Sequence, residues 1–100
     1  MLEALEWCED NRLACAEARA HRLYLEAYAK SLKAEIMAKH DDEAVSAQER
    51  IALASPEYAV HLRGYRAAVL RDEQLRYARE DKHILIEAWR SANANRRIMP

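Results

Sequence analysis

Glu80 and His83 are three residues apart, as Glu-x-x-His, and Glu17 and His21 are four apart. On a helix either spacing puts a carboxylate and an imidazole on adjacent turns, and Glu-x-x-His is half of the di-iron pattern of ferritin-like bundles. With a chain reversal centred near residue 48, Glu17 falls opposite the Glu80 region. Four helices of a dimer could then gather Glu17, His21, Glu80 and His83 around a metal ion. The competing reading is two ordinary solvated surface pairs, and the spacing recurs by chance in a chain so rich in glutamate. The sequence therefore favours no metal and no cofactor. The run His40-Asp41-Asp42-Glu43 reads as a solvated acidic loop. Nucleophile, P-loop and dinucleotide signatures are missing, and a single glycine cannot build a phosphate-cradling loop. The expectation is a protein that is not an enzyme.

Arginine offers the second chemistry. Arg63, Arg66, Arg71, Arg76, Arg79, Arg90, Arg96 and Arg97 all fall in the second half of the chain. Guanidinium binds phosphate in a bidentate manner that an ammonium cannot match, so this bias suits a helix that contacts nucleic acid. Asp72, Glu73, Glu80, Asp81 and Glu87 are interleaved with the arginines. A salt-bridged solvated face is the plainer reading, and an acidic protein partner is a third. Candidate binding residues are Trp89, Arg90, Arg96 and Arg97, with Arg79 and Arg76. Trp89 is either an anchor in the core or a stacking platform beside the basic tail. Residues 1–20 hold five acids and two bases, and residues 82–100 hold four bases and one acid. Side by side, those two ends would attract each other. Cys8 and Cys15 are seven apart, about 10 Å on a helix, too far for a disulfide. They read as reduced thiols packed as small apolar groups.

The elements that must position these residues are helical. Of the 100 residues 51% are hydrophobic, yet 20 are alanine and none is phenylalanine. One glycine, two prolines and three valines exclude a sheet. A charged fraction of 33% with a net charge of −1 excludes both a disordered polyanion and a strongly basic nucleic-acid coat. The length allows a single helical domain, residues 1–100.

From Leu2 to Lys39 the chain has no glycine or proline and consists mainly of strong helix formers, which predicts one helix over 2–39. A loop and short helix should occupy 40–54, with Ser46-Ala47-Gln48-Glu49 as a capping box. Ser55-Pro56-Glu57 marks a new start, with Ser as N-cap and Pro at the first helical position. The third helix should run over 56–94, followed by a basic tail at 95–100.

Two helices of some 37 residues, each about 55 Å long, do not fit a compact globule and imply a long antiparallel hairpin. Its seam would run Ala4, Trp7, Asn11, Ala14, Ala18, His21, Leu25, Tyr28, Leu32 on one side. On the other it would run Gly64, Ala68, Arg71, Leu75, Ala78, Lys82, Leu85, Trp89, Ala92. Gly64 would mark a close approach of the neighbouring helix. Second apolar stripes beside each seam are too wide for one hairpin, so the fold class is all-α, a hairpin that oligomerises into a helical bundle. No stretch reaches 18 apolar residues, and the opening acids do not suit a signal peptide. The expected setting is cytoplasmic, away from membranes.

The stretch Lys82-His83-Ile84-Leu85-Ile86-Glu87-Ala88-Trp89-Arg90-Ser91-Ala92-Asn93-Ala94-Asn95-Arg96-Arg97 resembles the C-terminal end of small helical proteins of tailed bacteriophages. The Ser55-Pro56-Glu57-Tyr58 start with Leu62 and Gly64 fits the same likeness, which covers about the last 45 residues and contains no catalytic motif. Such proteins are encoded near replication and recombination genes. The resemblance implies an accessory role in phage DNA recombination or replication, inside the host bacterium, with DNA or a DNA-processing protein as partner. An inhibitor or adaptor of a host protein without DNA binding, and a di-metal bundle, are the alternative functions.

Overall fold

A computed structural model describes residues 1–98. Among them are four helices and no strand: α1 Leu2–Asp10, α2 Arg12–Ala38, α3 Val45–Leu53 and α4 Pro56–Ile98. The molecule measures 82 × 21 × 14 Å with a radius of gyration of 22.3 Å. A compact chain of this length would have about 13 Å. α2 packs along α4 and against α3, while α1 packs along the far part of α4. Facing residues run in opposite senses: Trp7 meets Lys82, Arg22 meets Asp72, and Tyr28 meets His61.

The helix expected over 2–39 is interrupted once. Asn11 takes φ −104° and ψ 4°, separating α1 from α2. Both its backbone N–H and its side-chain Nδ2 donate to the Trp7 carbonyl, at 3.0 and 2.9 Å. A short amide side chain competes with the backbone for such carbonyls, which is why Asn loosens helix interiors. The ladder resumes at once, Cys15 N–H donating to Asn11 O at 2.9 Å.

The capping box at Ser46 and Glu49 does not form. α3 begins at Val45, with Ala44 as N-cap and no side-chain cap bond, so Ser46 lies inside the first turn. The turn is held instead by Gln48 Nε2 donating to Glu43 O at 2.8 Å. The Ser55 start is as expected: the Tyr58 N–H donates to Ser55 Oγ at 3.2 Å, and Pro56 opens α4. Residues 95–98, expected as a tail, continue α4 to Ile98. Residues 91–98 contain no glycine or proline, and Arg96 and Arg97 complement the negative C-terminal end of the helix dipole. Met99 and Pro100, the rest of that expected tail, lie outside the described residues.

The buried seam is narrow. Ala4, Ala18, Ile36, Ala52, Ala68 and Leu75 form it, with His61 and Asp72 as its polar members. Trp7, Asn11, Ala14, Leu25, Tyr28, Leu32, Ala78 and Lys82 are half-buried along it, as their spacing predicts. His21 and Arg71 are exposed, and their neighbours Arg22 and Asp72 turn inward instead. A 3.6-residue period drifts by about 20° per heptad, enough to hand the inward position to the next residue. Gly64 is exposed, and a Cβ placed there would meet nothing within 4 Å. The expected close approach at this glycine is therefore absent. Leu85, Trp89 and Ala92 are exposed as well. Leu5, near the start of α1, already lies opposite Ile86 and Arg90, and α4 runs on to Ile98 beyond the helix that could cover it.

Candidate functional site

Where α1 passes into α2 beside α4, the two sides enclose a groove of about 470 Å³. Arg12, Cys15 and Arg19 line it from α2, Arg79 and His83 from α4, and Trp7 and Cys8 from α1. Helical phase accounts for the arrangement. Arg12 and Arg19 are seven apart, two turns on one face, and Cys8 and Cys15 repeat that spacing beside them. Arg79 and His83 are four apart on the opposing wall. No carboxylate lines the groove, and Arg12, Arg19 and Arg79 join no ion pair among the described residues. The Lys82 ammonium sits 5.9 Å from the Trp7 ring centroid, adding a further positive charge at its edge. Both cysteines are free and half-buried, in keeping with the sequence reading.

A second depression of about 400 Å³ continues along α4, bordered by Leu5, Cys8, His83, Ile86, Glu87 and Arg90. Arg90 Nη1 donates to Glu87 Oε1 at 3.1 Å, an exposed pair that leaves most of the guanidinium open to other acceptors. Arg79, Arg90 and Arg97 are spaced eleven and seven apart, so at 3.6 residues per turn they fall within about 20° of one line. That line is about 27 Å long. Arg96 lies about 100° round the helix from Arg97, on the same side as Trp89. Trp89 is 48% exposed, so it is no core anchor; the helix that would have covered it has already ended.

Arg76 is engaged elsewhere. Its Nε donates to Glu73 Oε2 at 3.0 Å, its Nη2 bonds the same oxygen, and its Nη1 donates to Glu80 Oε1 at 2.9 Å. Arg22 reaches across from α2 to Asp72 at 3.1 Å and to Glu73 at 3.0 Å. Hydrogen bonds from Arg76, and then its charge and Arg22, hold the Glu73 carboxyl below its ordinary value against partial desolvation. The same bond to Glu73 raises the already high pKa of Arg76. Arg22 is raised mainly by its bond to Asp72, although its Nε is buried without a partner. This network ties α2 to α4 and takes Arg76 out of the set free to bind a ligand.

The metal candidates do not assemble within the chain. Glu17 and His21 are exposed, Glu80 is held by Arg76, and His83 lies beside Arg79 on the α4 wall of the groove, across from Arg12. Among the described residues no three His, Cys, Asp or Glu side chains come together. Nor does the expected attraction between chain ends take the form of ion pairs: among the described residues none joins 1–20 to 82–98. Trp7, Arg12 and Arg19 are the site residues that the sequence reading missed. The acidic balance of residues 1–20 masks the two arginines, and only their spacing of seven, in phase with Cys8 and Cys15, marks a shared face.

No family model, characterised protein or solved structure matches this chain.

Proposed function

We propose that the chain is a non-enzymatic nucleic-acid-binding protein that works as an antiparallel helical hairpin and pairs with a second copy in a helical bundle. The observation carrying this reading is the acid-free groove of Arg12, Arg19, Arg79 and His83, extended along α4 by Arg90 and Arg97. The guanidinium groups of Arg12, Arg19 and Arg79, without ion-pair partners among the described residues, and that of Arg90, mostly open beside Glu87, suit a polymer of phosphates. Arg96 and Trp89 add to this surface from the other side of α4. Self-association is supported by the apolar surface left in water, with Leu13, Tyr24, Val60, Leu70 and Ile84 all exposed. At the opposite end Tyr24, Leu25, Leu32 and Val60 border an apolar depression of about 390 Å³ that a second copy would cover. No helix among the described residues is long and apolar enough to cross a membrane. The more specific role, an accessory factor in phage DNA recombination or replication, rests on the resemblance of residues 82–97.

Binding of labelled DNA at several salt concentrations tests the reading. With about five arginines on phosphate, affinity for a single strand should fall about 100-fold between 50 and 200 mM salt. Absence of binding at the lower salt overturns it. Capture of one protein partner with no dependence on DNA would favour the adaptor alternative, and a solution mass equal to a monomer would remove the paired bundle.

A further inference from the structure

We infer that the groove between α1/α2 and α4 is the seat of a nucleic-acid single strand, with Arg12, Arg19 and Arg79 on its phosphates and Trp7 meeting a base. This rests on the nucleic-acid reading and names the form of the ligand and where it sits.

Three features of the groove lead there. Its volume, about 470 Å³, lies in the range of about 300–1,000 Å³ that holds small ligands, room for a nucleotide unit. Its chemistry is mixed in the way a nucleotide is mixed: three guanidinium groups at the walls, in no ion pair among the described residues, and an indole with two thiols inside. Such a combination of cationic track and aromatic surface characterises sites that take unpaired strands, because every base has a face to stack. The spacing of packed helices argues against a duplex. Packed helices are about 8–10 Å apart, and the geometry of duplex recognition is the reverse, a helix entering a groove about 12 Å wide in the DNA. Bases inside a duplex are already stacked and cannot reach Trp7, whereas an unpaired base can. A strand leaving the groove beyond His83 meets Arg90 and then Arg97 on the same line of α4.

The test uses the full chain with Trp89→Phe, which keeps an aromatic ring there and leaves Trp7 as the single indole of the two. Octathymidylate, octauridylate and a 12-base-pair duplex, each end-labelled, are titrated at about 50 mM salt, with anisotropy and Trp7 emission recorded together. The expected result is quenching of Trp7 by a single strand, with affinity at least tenfold above that for the duplex. Quenching by the deoxy or the ribo strand supports the site, and the tighter of the two identifies the preferred sugar. Arg12→Gln with Arg19→Gln, both at exposed positions, should weaken strand binding about tenfold. Strand binding without any change in Trp7 emission, or a preference for the duplex, overturns the groove assignment while leaving the proposed function standing. No binding of any probe overturns both.

Discussion

The end of the molecule near α3 and the end near Trp7 are built from the same helices, α2 with its extension α1, and α4, yet they are packed differently. Near α3, Ile36 is 6% exposed and Ala52 fully buried. His61 is enclosed by Tyr28, Tyr58 and Tyr65, with ring centroids 5.8, 6.0 and 6.4 Å away. These separations suit edge and offset contacts between aromatic rings. The Lys33 ammonium lies 3.7 Å from Glu49 outside that cluster. At the other end Ala4 is the one buried residue of α1, and large side chains lie around it half-buried or exposed. Three arginines and a histidine, from both sides of the groove, stand where the α3 end has tyrosine and isoleucine. One end therefore carries the stability of the pair and the other carries open charge. The Arg22–Asp72–Glu73–Arg76 network stands between them as the join.

The contrast can be broken by experiment, and the largest effect belongs to the α3 end. Ile36→Ala should cost about 3 kcal/mol of stability, since removing a deep aliphatic side chain leaves a cavity. Chemical denaturation measures it, and a loss below about 1 kcal/mol would mean that this end is not the anchor. Arg90→Ala with Arg97→Ala should do the opposite. Thermal melting should be unchanged, while DNA affinity drops about tenfold and the salt slope flattens by about 1.4 for a single strand. A fall in melting temperature without loss of binding would place these residues in the packing and not in the interface.

Gly64→Ala sharpens the comparison along α4. The glycine is helical and its missing Cβ faces open space, so alanine should add about 0.8 kcal/mol of stability. Destabilisation in the same unfolding assay would show that another copy packs closely there.

The smallest effect concerns the join. Glu73 has a lowered pKa when folded, so its pairing stabilises fully above the ordinary carboxylate pKa, near 4.5, and is lost as pH falls through the lowered value. Melting temperature should decline over that acidic range, and Glu73→Gln should decline less steeply. An identical pH profile for the two would remove Glu73 from the account.

Much of the fold was legible in the residues. Leu2 to Lys39 and Pro56 to Ala94 contain almost no helix breakers, and Ser55-Pro56 placed the start of α4 correctly, because capping is decided within four residues. The break at Asn11 was less visible, since an Asn is tolerated in many helices and here acts through one local bond to Trp7 O. Ser46 failed as a cap because the chain closes its turn with Gln48 two residues further on. The site was half legible. Arg79, Arg90 and Arg97 stand out by type and spacing, whereas Arg76 looks the same in sequence and is taken by Glu73 and Glu80. Arg12 and Arg19 gain their meaning only from what lies across from them.

The sequence by itself determined that the chain is all helix, because propensity, capping and the near absence of glycine and proline act locally. It also determined that the seam would be rich in alanine. Tertiary structure decided which polar residues face inward. His21 against Arg22 and Arg71 against Asp72 differ by one position, a 100° rotation that only the packing of two particular helices can settle. The same packing left Trp89 in water beyond the reach of α1 and set Arg79 across from Arg12 and Arg19 beside Trp7.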